Sequence, residues 1–148
     1  ASNMWSVGPI VDTETGEVTV LKWASAYDIG QAINTKRVEG QMEGGAAQGM
    51  GFGLMEDYIE ENGVPTTWTL HEYLIPSSKD VPDIKTVVLQ SKSGKGPFGA
   101  KGIGEPSITA AAPAVVNAVR DAVDARVYHA PATPERIYFA MKKGSRSQ

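Results

Sequence analysis

Cysteine is absent from this 148-residue chain. That excludes disulfides, thiolate zinc sites, iron–sulfur ligation by the chain itself and any cysteine nucleophile. Histidine is nearly absent, and a two-histidine metal site would have to join His71 to the distant His129. No apolar run approaches the ~20 residues of a membrane span. Ala1 to Ser6 lack the basic-then-apolar pattern of a signal peptide, so the cytoplasm is the expected compartment. An excess of positive charge is also missing. The 14 Lys and Arg face 17 Asp and Glu, for a net charge of -3 and a pI near 5.4. The cations are scattered, which argues against a nucleic-acid-binding face.

What is present is an ordinary globular composition, 41% hydrophobic and 21% charged. The length suits one domain with its own core, here 1–148, with 144–148 expected as a disordered tail. Glycine is the unusual component. Its 16 residues concentrate in two places, from Gly40 to Gly53 and from Gly94 to Gly104. Clustered glycine marks a backbone that turns sharply or approaches something closely.

Val7–Val11 and Val18–Ala24 read as strands joined by a turn at Gly16, hence a hairpin. Val38, Met42, Ala46, Met50 and Leu54 recur at helical spacing and predict a helix over 35–58. The glycines oppose it, each costing about 1 kcal/mol against alanine, so tertiary contacts must compensate or part of the segment is loop. Turn signals fall at Asn62-Gly63 and Pro65. Thr67–Leu74 and Lys85–Lys92 read as further strands, separated by a loop through Pro76 and Pro82. Residues 93–104 form a glycine loop, and 106–125 are helix-rich with Pro113 as a kink or second start. Thr133-Pro134-Glu135 has the cap, first-position proline and first-turn acid of a helix running to about Lys143. The order of elements favours an α+β fold, a mixed sheet with packed helices.

Several residues carry a functional and a structural reading side by side. Gly94 to Gly99 fit G-x-G-x-x-G, but Ala100 to Gly104 intervene where a dinucleotide site needs a helix to open. A phosphate loop fails because Gly96 follows Lys95. Glu105 precedes Pro106 at an expected helix start, where the local dipole favours an ionised carboxylate. It is a candidate general base or a helix cap. Gln41, between Gly40 and Met42, carries an amide able to donate to and accept from a polar cofactor edge, or it is a solvent-facing helix residue. Gln48 has the same ambiguity. His71 reads as a structural or solvent-facing residue, and Met42, Met50 and Met55 as core.

Together these fragments resemble one family. Val38-Glu39-Gly40-Gln41-Met42-Glu43-Gly44-Gly45 with Gln48-Gly49 is similar to one motif of the molybdenum hydroxylases, the xanthine dehydrogenase and aldehyde oxidase family. Gly99-Ala100-Lys101-Gly102-Ile103-Gly104-Glu105-Pro106 is similar to a second, and Pro131-Ala132-Thr133-Pro134-Glu135 to a third. Asp28-Ile29-Gly30 and Ile33-Asn34 also match, all in the family's order, with the resemblance covering roughly Val7 to Lys143.

The resemblance is to the C-terminal part of the molybdopterin-binding subunit, which is several times longer than this chain. It implies an oxidoreductase that hydroxylates an N-heterocycle or aldehyde carbon with oxygen from water. It implies molybdenum–molybdopterin as cofactor, the cytosine dinucleotide form among the alternatives. The [2Fe–2S] clusters and FAD would sit on partner domains or subunits. Glu105 matches the catalytic base that takes a proton from the metal-bound hydroxyl, and Gln41 the glutamine that bonds the pterin. Gly99, Ala100, Lys101, Gly102, Ile103 and Gly104 match the backbone that approaches the metal site. No side chain is expected to ligate the metal. Expected partners are the rest of the subunit, the iron–sulfur and flavin domains or subunits and a small-molecule substrate, in an oligomer without nucleic acid or membrane. The chain alone is expected to be inactive. The rival readings are a cofactor-free structural or interaction module of the same fold, and a nucleotide-binding domain built on Gly94 to Gly99.

Overall fold

The computed structural model describes residues 2–91 and 93–144. Two long strands, β1 (Ser2–Val11) and β2 (Val18–Asp28), form the expected hairpin. A helix, α1 (Thr35–Leu54), follows, then a two-residue-per-strand hairpin, β3 (Glu60–Glu61) and β4 (Val64–Pro65). Strand β5 (Ile84–Leu89) returns to the sheet. Three helices complete the chain: α2 (Pro106–Thr109), α3 (Ala111–Val123) and α4 (Pro134–Gly144). The main sheet has the order β1-β2-β5, with β1 antiparallel and β5 parallel to β2. It is the mixed sheet with packed helices that the sequence implied.

A β-bulge sets the phase of the central strand. Gly8 pairs with Lys22 and Pro9 with Val20, which leaves Leu21 as the extra residue. Pro9 cannot donate to a ladder, so its place on an edge strand beside a bulge fits its chemistry. The extra residue shifts the alternation, so that Val20 is buried and then Trp23, Ser25 and Tyr27. Trp5 on β1 meets Trp23 and Tyr27 edge to face, at ring-centroid distances of 5.5 and 5.3 Å.

The glycines of α1 are reconciled by packing. Gly45, Gly49 and Gly53 lie one above another at helical spacing. A Cβ added there would fall 2.4 Å from Ser107 O, 2.1 Å from Ala111 Cβ and 2.5 Å from Val115 Cγ1. These glycines form the groove into which α2 and α3 settle, and Ala111, Val115 and Val119 bury the facing side of α3. Asn34 caps α1 by accepting from Arg37 N at 3.0 Å. The helix ends at Leu54, four residues short of the expected Tyr58, as Met55 turns out of helical geometry. The core joins Val20, Trp23, Ala46, Met50, Val115 and Ile137, with Ile137 supplied by α4.

Two readings are corrected. Thr67–Leu74 is not a strand. Thr69 closes a turn there, its carbonyl accepting from Tyr73 N at 2.8 Å and its hydroxyl from His71 N at 3.3 Å. Two of its large apolar residues face solvent: Trp68 is 79% and Leu70 70% exposed. The 106–125 segment is broken at Ala110 into two helices, with Pro113 in the first turn of the second. Helix α4 begins as expected, Thr133 Oγ1 accepting from Arg136 N at 3.4 Å. It reaches Gly144; residues 145–148 of the expected tail lie outside the described residues.

Candidate functional site

The glycine loop docks on the chain that leaves β2. Lys101 N donates to Ile29 O at 2.8 Å, and Gln31 N to Gly99 O at 2.9 Å. Gly30 lies at φ +66°, and a Cβ there would fall 2.2 Å from Gly99 O. Only glycine satisfies both conditions, which accounts for Asp28-Ile29-Gly30 as a unit. Gly94 and Gly96 press on Gly99 O and Ala100 O in the same way. After the short turn at Pro97–Gly99, Ala100 lies in extended backbone, and no helix opens at the third glycine of G-x-G-x-x-G. The nucleotide reading therefore lacks its structural requirement.

Beyond Lys101 the loop crosses toward α1 and forms one wall of a cleft of about 510 Å³. Gln41, Ala100, Lys101, Ile103 and Gly104 line it together. Gln41 Nε2 donates a long hydrogen bond to Gly104 O at 3.5 Å. Ile103 anchors the wall by packing on Tyr27, Ile29 and Met42. Gly102 and Gly104 behave differently from the loop's other glycines. A Cβ on either would meet nothing within 4 Å, and neither has a positive φ. The chain's own packing does not require glycine at these positions, so their backbone is open to close approach from outside. Gly99 and Gly102 lie in the loop outside the cleft lining. Gln48 is exposed on α1 and His71 in its turn.

Glu105 stands at the next residue, exposed, at the start of α2. Its side chain makes no capping hydrogen bond. Its carbonyl oxygen instead accepts from Ile108 N at 3.0 Å and Thr109 Oγ1 at 2.9 Å. The structural reading of Glu105 as a cap is thus not realised. The expected dipole argument weakens too, because α2 is a four-residue turn rather than a long helix. The backbone around Glu105 is tied to the sheet. Ser107 Oγ donates to Gly104 O at 2.6 Å, Tyr27 OH to Ser107 O at 3.4 Å, and Asn3 Nδ2 to Pro106 O at 3.1 Å. Burial pushes the Tyr27 phenol pKa up, which keeps it a donor.

Residues 10–82 match the family model of a molybdopterin cofactor-binding domain. Among curated relatives, a 6-hydroxypseudooxynicotine dehydrogenase complex subunit gamma from Paenarthrobacter nicotinovorans is 38% identical over 132 residues. That alignment takes in 86% of this chain and 17% of the relative. The quinoline 2-oxidoreductase structure from Pseudomonas putida 86 superposes with a TM-score of 0.85 at 39% identity, covering 90% of this chain and 17% of that one. The aldehyde oxidoreductase structure from Desulfovibrio gigas gives 0.88 at 33% identity, covering 95% and 15%. This chain belongs to the molybdenum hydroxylase family. It spans less than a fifth of the length of the relatives it matches. No described helix of this family member is long and apolar enough to cross a membrane. Among its described residues no group of three His, Asp or Glu is placed to hold a metal ion.

The residue that sequence reasoning left without a role in this molybdenum hydroxylase segment is Asp28. It ends β2 and gathers four hydrogen bonds. Oδ1 accepts from Gly30 N at 3.1 Å and Ser91 N at 3.2 Å; Oδ2 accepts from Ser91 Oγ and Lys101 Nζ, both at 2.7 Å. The ammonium of Lys101, first in effect, and then the Ser91 hydroxyl hold its carboxyl far below the usual carboxylate range. Lys101 was expected at the cofactor through the loop, but its ammonium is engaged by Asp28. No local sequence signal joins Asp28 to Lys101, which lies 73 residues away.

A depressed carboxyl pKa stabilises the fold above the unfolded value and loses that stabilisation as pH falls below it. Lys101→Met is accordingly expected to lower the melting temperature at neutral pH. The gap to wild type should narrow as pH drops below the ordinary value of 3.8. A gap constant down to strongly acidic pH would contradict the assignment of the pair as the source.

Proposed function

We propose that this chain is the cofactor-facing portion of a hydroxylating molybdenum enzyme, with Glu105 as its general base. The observation that carries the reading is the placement of an exposed, uncapped carboxylate beside a cleft walled by open glycine backbone and the Gln41 amide. The group to be held is molybdenum–molybdopterin, and the residues fit it. Gly102 and Gly104 leave backbone open to van der Waals approach, and Gln41 offers both a donor and an acceptor.

Bound there, the cofactor supplies a two-electron acceptor for oxidation of a substrate carbon. Glu105 removes a proton from the water-derived oxygen nucleophile as it attacks that carbon. Gln41 holds the pterin edge through its amide. The loop from Gly99 to Gly104 sets the distance of approach, with Ala100 and Ile103 fixing its path. The substrate class is an N-heterocycle or an aldehyde. Electrons leave through iron–sulfur and flavin groups on partner domains or subunits. The pterin is free or in its cytosine dinucleotide form, which the mass of the extracted cofactor decides.

The test uses the full subunit assembled with its partners. Elemental mass spectrometry is expected to give stoichiometric molybdenum, and turnover in ¹⁸O-labelled water to place the label in the product. Unlabelled product, or an assembly without molybdenum, would overturn the reading.

A further inference from the structure

We infer that Asp28 and Lys101 act as a positioning pair that sets the path of the loop leading to Glu105, an inference that rests on the hydroxylase reading above. Between Gly99 and Gly104 three residues have no side chain, so beyond its backbone hydrogen bonds the loop has few side chains to fix it. Two side chains anchor it, at alternate positions. Ile103 enters the Tyr27, Ile29 and Met42 cluster, and Lys101 enters the carboxylate of Asp28. The glycines between and after them, Gly102 and Gly104, are the ones whose Cβ positions are open.

The ion pair is more than a surface contact. Asp28 Oδ2 and Lys101 Nζ stand 2.7 Å apart, with side chains only 21% and 22% exposed. Lys101 Nζ also donates to Ser91 Oγ at 3.2 Å, and Ser91 Oγ shares a hydrogen bond with Ser93 Oγ at 2.7 Å. One carboxylate therefore joins the end of β2, the chain leaving β5 and the glycine loop. Geometry within such a network is fixed by several bonds at once, unlike a lone exposed pair. Lys101 lies four residues before Glu105. Backbone bonds hold the loop at Lys101 N and Gly104 O, and the ion pair adds the polar side-chain tether at its entry, so a shift at Lys101 passes through Gly102 toward the carboxylate. A misplacement of about 1 Å at a reacting group costs on the order of 10²-fold in rate. Neither Asp28 nor Lys101 needs to touch substrate to exert this effect.

The experiment compares Asp28→Asn, Lys101→Met, their double variant and Lys101→Arg in the assembled holoenzyme. Each single loss is expected to keep wild-type molybdenum content, lower kcat by about 10–100-fold with KM nearly unchanged, and alter the molybdenum EPR line shape. The double variant is expected to be no worse than the poorer single, the sign of a shared interaction. Lys101→Arg keeps the cation and is expected to recover most of the rate. Wild-type kcat and EPR line shape with only a lower melting temperature would overturn the inference. So would additive losses in the double variant, or loss of molybdenum. If Asp28→Asn does not fold, the contrast between Lys101→Arg and Lys101→Met decides alone. Glu105→Gln run in parallel separates the two ideas. An unimpaired Glu105→Gln enzyme removes Glu105 as the base and with it the target of the positioning, whereas an impaired one beside normal Lys101→Met removes only the positioning role.

Discussion

Glu105→Gln in the assembled enzyme is expected to reduce kcat by about 10²–10⁴-fold, the range a positioned general base contributes. Glutamine keeps the size and polarity of the side chain but cannot take a proton at neutral pH. The carboxylate is exposed and makes no capping bond, so the substitution removes no contact on which the fold depends. Its effect on stability should fall within about 0.5 kcal/mol, as for other surface changes. Molybdenum content should also be unchanged, because the proposed cofactor contacts are made by Gln41 and the loop backbone. The combination is diagnostic: a folded, loaded enzyme with little turnover. Rates close to wild type would remove Glu105 from the mechanism. Loss of molybdenum would instead assign it to cofactor binding. Assay by single turnover is preferable, since it isolates the oxidation of substrate from electron transfer to partner domains.

The reading of this molecule from its sequence succeeded where local chemistry and global packing agree. The hairpin and α4 with its Thr133 cap are set by residues acting within a few positions of themselves. It failed where a side chain's environment is decided elsewhere. Thr67–Leu74 has strand-like residues, yet Thr69 and Glu72 bond locally and a turn results. The length of α2 was also hidden, because a break at Ala110 has no sequence mark of its own. At the site, the motif residues Gln41, Ala100, Lys101, Ile103 and Gly104 were legible and do meet in one cleft. The Asp28 network was not legible. Its partners Ser91 and Lys101 are 63 and 73 residues away in sequence, a separation no local pattern reports.

Substituting alanine for glycine in α1 is expected to change sign with position. In a free helix the exchange gains about 1 kcal/mol at any interior site. At Gly40 nothing lies within 4 Å of the added carbon, so Gly40→Ala should stabilise the chain by up to that amount. At Gly49 the new Cβ would fall 2.1 Å from Ala111 Cβ and 3.2 Å from Ala111 Cα. The obstacle is the start of α3, not the far end of a flexible side chain, and the two helices must part to admit it. Overpacking of this kind costs typically 1–3 kcal/mol and occasionally more. Because the clash is with a buried residue at a helix contact, the upper end of that range is expected. It exceeds the helix-propensity gain and leaves Gly49→Ala destabilised by about 2 kcal/mol net. Urea melts should show the two midpoints moving in opposite directions with unchanged slope. Equal stabilisation by both substitutions would mean that α1 and α3 are not in close contact and that the groove of Gly45, Gly49 and Gly53 does not hold the helices together. A loss at Gly49 alone would show that the first glycine-rich motif, which also carries Gln41, packs the helices through its buried side.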